Sequence, residues 1–320
     1  MAAVVASGCS GGGRVDARAG VNRPVRFGIW GDTPYTDREV QAQAPLIEQL
    51  NDADLDLAIF VGDIFGSFCE DSRYADAMRR FNTVDAPLVY VPGDNEWTDC
   101  NEGSAPKRDP LERLSYIRTT MFANDRSYGR KPIRVERQRP AYPENGRWKI
   151  GSIWFVALNV PGSNNNHVPD AEVDGLDDRG RGPAERQAAE AEYRARDEAD
   201  RAWLHQSFEV ASRDRAPAVV VAFQADPAFE VAGEQRVAQH VDGFDGFLTA
   251  LAAEAKAFAK PVVVVHGDSH RFVHDQPLAA APNLIRVETF GSPDVGWVEI
   301  ALNPADAAHP TVEPRLVRGR

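Results

Sequence analysis

Three cysteines in 320 residues are too few for a disulfide scaffold, and no apolar run approaches the ~18 to 20 residues that cross a bilayer as a helix. Positive charge is in short supply, since 36 Lys and Arg stand against 48 Asp and Glu for a formal charge of −12. A surface of that sign repels phosphate backbones and anionic lipid, which excludes nucleic acid as a general partner and leaves small ligands and cations. The chain also lacks the composition of a disordered segment, with 43% hydrophobic and 26% charged residues, and it has no internal repeat. A buried core spread over one or two domains is the expectation.

Short apolar runs recur at Val25 to Trp30, Leu57 to Val61, Leu88 to Val91, Ile153 to Leu158, Ala218 to Phe223 and Val262 to Val265. Their nearly continuous apolar character is that of strands covered on both faces. Helical spacing separates them, at Val40/Ile47/Leu50, Tyr74/Met78/Phe81, Leu111/Leu114/Met121 and Phe244/Phe247/Leu248/Leu251. The alternation predicts an α/β layer architecture with much parallel sheet, and Leu284 to Thr289 and Gly296 to Leu302 read as two further strands. Pro161 to Asp178, polar and turn-rich around Asn164-Asn165-Asn166, reads as an excursion near the site. Glu185 to Val210 reads as a long helix with a core stripe at Ala195, Ala199, Trp203, Leu204 and Phe208, and its Arg/Glu-rich opposite side is expected to be a solvated face.

The first ten residues, Met-Ala-Ala-Val-Val-Ala-Ser-Gly-Cys-Ser, resemble the cleavage region of a bacterial lipoprotein signal peptide, with Cys9 as the residue to be acylated. The match departs from the pattern at Ala6, where Leu is usual, and in lacking a basic start. Residues 1–22 are accordingly expected to be a signal remnant and tether, with one folded domain over 23–320 and membrane contact only through Cys9. The location expected is extracytoplasmic, as a lipoprotein or a secreted protein, against the alternative of a disordered terminus with a chance cysteine. Cys69 and Cys100 each lie six residues beyond an Asp that closes a strand-like run, Asp63 and Asp94. If those strands are neighbours the two cysteines can form a disulfide, and otherwise they are two loop thiols.

The residues just beyond each strand-like run carry the chemistry. Trp30 is followed by Gly31-Asp32-Thr33-Pro34-Tyr35, Val61 by Gly62-Asp63-Ile64, Val91 by Pro92-Gly93-Asp94-Asn95-Glu96, Phe223 by Gln224-Ala225-Asp226 and Val265 by His266-Gly267-Asp268-Ser269-His270. A single Gly-Asp pair is ordinary turn chemistry. Four of them at strand ends would converge on one rim of a parallel sheet, where like charges oppose one another unless cations compensate. The pattern therefore reads as a cluster of metal ligands.

In order and spacing, from about Arg26 to Leu302, these motifs resemble the calcineurin-like metallophosphoesterase superfamily, with Asp-x-His, Gly-Asp, Gly-Asn-His-Asp/Glu, a lone His and Gly-His-x-His each after a strand. The resemblance implies a two-sheet αββα sandwich, two divalent metal ions and hydrolysis of a phosphomonoester or phosphodiester of small-molecule size. Asp32, Asp63 and His270 match the pattern. Pro34, Asp94, Asn95, Gln224 and Asp268 depart from it. Carried over position by position, one metal site would hold Asp32, Asp63 and His270, and the other Asp63, Asp94, Gln224 and Asp268, with Asp63 bridging. The second set offers oxygen only, which favours Mn²⁺, Mg²⁺ or Ca²⁺ and leaves Fe or Zn²⁺ as the alternatives. The catalytic set implied is Asp63, Asn95, Glu96 and His270. Asn95 replaces an acid-assisting imidazole, and Glu96 could substitute for it only with a raised pKa.

The remaining histidines divide by position. His205, His240 and His309 read as surface or cap residues and Trp203 as core, while His167 is a candidate for the missing imidazole. His266 is placed at the site edge, and Arg271 and His274 are candidates for a substrate oxyanion. The rival reading is a protein of the same fold that has lost catalysis and serves as a binding or structural module.

Overall fold

The computed structural model describes residues 23–66, 68–102, 107–168 and 181–317. The expected tether at 1–22, with Cys9, and the excursion from 169 onwards to 178 lie outside the described residues. Two sheets face each other. The first runs in the order β12 (Thr311–Leu316), β11 (Gly296–Leu302), β1 (Val25–Trp30), β2 (Leu57–Phe60) and β3 (Leu88–Tyr90). The second runs β4 (Glu136–Gln138), β5 (Tyr142–Ile150), β6 (Ile153–Ala157), β7 (Val219–Ala222), β8 (Val262–His266), β10 (Leu284–Glu288) and β9 (Val273–Asp275). Strands β1, β2 and β3 are parallel, as are β6, β7, β8 and β10, and antiparallel strands close the margins.

Residues alternate across each strand, so one face of each sheet meets the other sheet and one meets helices. Phe27, Ile29, Ile59, Val89, Phe155, Val220, Val263, Val287 and Ile300 fill the space between the sheets. Trp30, Phe60, Tyr90 and Trp297 turn outward against helices α1 (Asp37–Asp52), α2 (Asp71–Phe81) and α3 (Pro110–Thr120). On the far side Val219, Val221 and Val264 pack against α5 (Pro183–Arg213) and α7 (Asp245–Phe258). The result is a two-sheet αββα sandwich: the alternation predicted its α/β layers and parallel strands, and the family resemblance implied its two sheets. A single turn, α4 (Gly162–Asn165), precedes α5, and the short α6 (Gln235–Ala238) precedes α7.

Local chemistry sets the helix starts. Thr36 caps α1 by accepting the Glu39 N–H, and Asp109 caps α3 by accepting from Leu111 and Glu112, with Pro110 in the first turn. Helix α5 departs from expectation on one face. Its Arg/Glu-rich side is not fully solvated, because Arg196, Asp197 and Asp200 are buried. The reason is local polarity underneath: Asn145 donates to Asp200 at 2.6 Å, and Arg196 donates to the carbonyl of Asn159 at 2.8 Å. Buried charge persists only where such partners satisfy it.

Candidate metal centre

Each candidate acid stands on the first turn after a strand. Asp32 follows β1, Asp63 follows β2 and Asp94 to Glu96 follow β3, while Gln224 follows β7 and Asp268 and His270 follow β8. Parallel pairing of β1 with β2, of β2 with β3 and of β7 with β8 brings these ends to one rim. Asp32, Asp63, Asp268 and His270 adopt φ of 53°, 62°, 77° and 63°. Non-glycine residues are uncommon in that left-handed region, and four at one rim mean that the surrounding structure over-determines their direction. Gly267 is required beside them, since a Cβ there would land on the Asp32 carboxylate.

The side chains meet across the sheets. The Asp268 N–H donates to both Asp32 oxygens at 3.1 Å, and His270 Nε2 lies 3.7 Å from Asp32 Oδ1 while its Nδ1 is 2.7 Å from the Ser292 carbonyl. Asp63 Oδ2 accepts from the Tyr35 hydroxyl at 2.7 Å and the Asn95 amide at 2.8 Å, and its Oδ1 accepts from the Asn95 backbone at 3.2 Å. Asp94 Oδ1 accepts from Gln224 Nε2 at 3.2 Å. Asp268 Oδ2 accepts from the Asp226 N–H at 2.7 Å. Glu96 faces inward instead, its two oxygens accepting the N–H groups of Asp63, Ile64 and Gly93 at 3.1, 2.8 and 3.0 Å.

Burial, then mutual repulsion, sets the electrostatics. Asp32, Asp63 and Asp94 are held well above the usual carboxylate range by loss of solvent, reinforced by the negative charge of Asp268 on Asp32, of Asp94 on Asp63 and of Asp99 on Asp94. Asp268 is pushed up to about 7 by burial and by the charges of Asp226 and Asp99, against the lowering effect of the Asp226 N–H. Among the described residues no Lys or Arg pairs with Asp32, Asp63, Asp94 or Asp268; the cationic partner is His270 when protonated. Protons or metal ions must therefore supply the missing positive charge.

The donor set fits hard cations in chemistry and charge, because Asp63, Asp94 and Asp268 offer carboxylate oxygen and Gln224 an amide oxygen, and with Asp32 the four carboxylates neutralise two divalent ions. Convergence is a separate matter. Among the described residues no three His, Cys, Asp or Glu side chains are grouped so that they could hold a metal ion. The carboxylate oxygens are turned instead to Tyr35, Asn95, Gln224 and backbone N–H groups.

Other expectations resolve differently. His167 does not reach the carboxylates: its Nδ1 lies 2.7 Å from Glu190 and its Nε2 3.4 Å from Asp242, and these partners hold its pKa above the ordinary histidine value although burial pulls it down. His266 is buried and stacked on Phe223 at 5.5 Å rather than open at the site edge. Arg271 lies 3.9 Å from Asp226 and His274 is exposed on the margin strand β9, while Trp203 is core as expected. Tyr35, Asp99 and Ser163 belong to the rim and were not among the candidates. Tyr35 stands one residue beyond the Pro34 position, whereas Ser163, though preceded by a Gly, lies six residues past the end of β6 and so lacks the strand-end signal of the acids.

Strand-end acids of both sheets meeting at one rim is the arrangement implied by the motif order. The fold is a two-sheet αββα sandwich with parallel strands in each sheet. No family model matches the chain, and no curated protein matches it. Among solved structures it is similar to TT1561 of Thermus thermophilus, at 13% identity over 93% of this chain and 100% of that one with a TM-score of 0.48. It is also similar to a novel phosphatase from Mycoplasma pneumoniae, at 9% identity over 92% and 94% with a TM-score of 0.43. A third is a single mutant of Vps29 from Entamoeba histolytica, at 10% identity over 91% and 98% with a TM-score of 0.30.

Proposed function

We propose that the rim binds divalent cations and hydrolyses a phosphoric ester, a phosphomonoester or phosphodiester of small-molecule size. The observation that carries the reading is the charge: Asp32, Asp63, Asp94 and Asp268 stand at four strand ends on one rim with no Lys or Arg paired to them among the described residues. Asp32, Asp63 and His270 would hold one ion, and Asp63, Asp94, Gln224 and Asp268 the other. When bound, such ions activate water and stabilise the charge that develops on a phosphoryl group. The chain's own residues do the orienting. Tyr35 and Asn95 both donate to Asp63 Oδ2 and fix the carboxylate's rotation. Glu96 spends its oxygens on three backbone N–H groups, so in this reading it holds the Asp63 and Gly93 loops in place and does not deliver a proton. Asn95, an amide, cannot donate a proton to a departing oxygen, which limits the reaction to esters with good leaving groups.

A second reading, a binding or structural module without catalysis, is favoured by the protein donors that already occupy the carboxylate oxygens. Elemental analysis of purified protein, followed by hydrolysis of an activated aryl phosphate and an aryl phosphodiester with added Mn²⁺, separates the two. Bound metal with turnover is the expected result. Stoichiometric metal without turnover supports the module, and neither metal nor turnover removes the cation-binding rim as well. An extracytoplasmic setting is part of the proposal. The Cys69–Cys100 disulfide, which joins the loops after β2 and β3, supports an oxidising compartment, and a lipid at Cys9 would be the membrane contact.

A further inference from the structure

We propose that α4 is a wall of the carboxylate centre and that Arg196 is the residue that positions it, an inference that rests on reading the rim as a cation-binding centre. Ser163, Asn164, Asn165 and Asn166 have φ of 52°, 53°, 56° and 60°, four successive residues in the left-handed region. Such a turn is sterically unfavourable for L-residues, Asn least, so it exists only because something holds it. Arg196 supplies much of the hold. From the middle of α5 its guanidinium donates to the Asn165 side-chain oxygen at 2.7 Å, to the Asn165 carbonyl at 2.8 Å and to the Asn159 carbonyl at 2.8 Å. It also lies 5.4 Å from the ring of Trp97, the residue after Glu96. The other two asparagines are tied as well: Asn164 Oδ1 accepts the Gly243 N–H at 2.8 Å, and Asn166 Nδ2 donates to Glu192 at 2.8 Å.

The anchored turn delivers two groups to the rim. The Gly162 N–H donates to Gln224 Oε1 at 2.5 Å, and Ser163 Oγ lies 2.9 Å from Asp94 Oδ2 and 2.8 Å from Asp99 Oδ2. The backbone is close enough that a Cβ on Gly162 would stand 2.6 Å from Asp94 Oδ2 and 2.7 Å from Asp268 Oδ1. Gln224 and Asp94, two expected ligands, thus take their rotation from α4, and α4 takes its position from Arg196 through Asn165. A planar five-donor fork is required for that task, because three acceptors are held at once; a lysine keeps the charge and loses the fork.

The test uses the full chain and the variants Arg196→Lys, Asn165→Ala and their combination. Calorimetric titration with Mn²⁺ should show each single variant weakened ~10-fold or more, as for other residues that orient ligands, and the double variant weakened no further than the singles. Backbone hydrogen exchange, followed by mass spectrometry without and with Mn²⁺, should quicken in 93–99 and 224–226 as well as in 162–166. Faster exchange confined to 162–166, with Mn²⁺ affinity within twofold of the parent, overturns the proposal and makes Arg196 a local packing residue. If the parent takes up no Mn²⁺, the cation reading of the rim fails, and exchange in 93–99 and 224–226 alone decides whether Arg196 positions the centre. Should Arg196→Lys not fold, Asn165→Ala carries the same two readouts with the Arg196 pairing to Glu192 and Asp200 left in place.

Discussion

Glu96 differs from the other acids of the rim in what its oxygens meet. Three backbone N–H groups from two loops end on it, and Tyr74 holds its own carbonyl at 2.6 Å, so it joins the turns after β2 and β3 as a cross-brace. Removing the acceptor orphans all three donors in a buried place. Glu96→Ala should therefore lose about 3 kcal/mol or more in urea unfolding, since each orphaned group costs ~1 to 3 kcal/mol. Glu96→Gln keeps one carbonyl acceptor and should lose less; equal stability of Glu96→Ala and the parent would mean that the loops are braced elsewhere. Glu288 makes the matching case for charge. Buried on β10, with Ser269 donating to it, its carboxyl is pushed up to about 8, first by loss of solvent and then by the charge of Asp226. The native state therefore binds this proton more tightly than the unfolded chain does. Its stabilising contribution is complete below the ordinary glutamate pKa and is lost as pH rises through about 8. Urea midpoints at pH 6 and pH 9 should fall more for the parent than for Glu288→Gln, and equal falls would show that the carboxyl is ionised throughout.

At the scale of elements the rim is held from outside by a covalent tie. Cys69 and Cys100 lie 31 residues apart in sequence and join the two loops that carry Asp63 and Asp94. Closing a loop of that size restricts the unfolded chain by about 3 to 4 kcal/mol in the chain-entropy model. The Cys69→Ala/Cys100→Ala variant should unfold at correspondingly lower urea, and the parent should shift by a similar amount under reductant; no shift in either would mean the pair is not closed in solution. The strands that flank this tie were legible in the sequence because both of their faces are buried, so β1 and β11 have the boundaries the apolar runs predict and β2, β3, β6, β7, β8 and β10 differ from theirs by a residue or so at an end. The strands β4, β5, β9 and β12 were not. β12 is largely exposed, and β5 reads Tyr-Pro-Glu-Asn-Gly-Arg-Trp-Lys-Ile, where Glu144 and Asn145 are buried in a polar network with Arg118 and Asp200 that no hydrophobic period reveals. The strand-end Gly-Asp pairs announced the acids of the rim. Ser163 stayed hidden because it lies six residues past β6 on a turn bonded to Arg196, more than thirty residues away and buried within a helix face whose composition reads as solvent-exposed.

For the molecule as a whole the question is where the balancing charge sits. The chain carries −12 in total, so cations will gather weakly over much of its surface as well as at the rim. Surface association is screened by salt and indifferent to any single acid, whereas a site built from Asp32, Asp63, Asp94, Gln224, Asp268 and His270 depends on each ligand. Linkage makes the distinction measurable without turnover. A cation that binds only the native state at a hundred times its Kd adds about 2.7 kcal/mol, which for a chain of this size raises the Tm by about 5 °C. The parent should show that rise with Mg²⁺ or Mn²⁺ in 0.15 M salt, and Zn²⁺ should give less, because the second ligand set is all oxygen. Asp63→Ala, which removes the acid shared by both expected ion positions, should fold and show no rise. Gln224→His/Asp268→His should move the preference toward Zn²⁺, since imidazole suits the softer ion and one carboxylate charge is gone. A rise of equal size in the parent and in Asp63→Ala would assign the effect to the general acidity of the surface and leave the rim acids to be neutralised by protons.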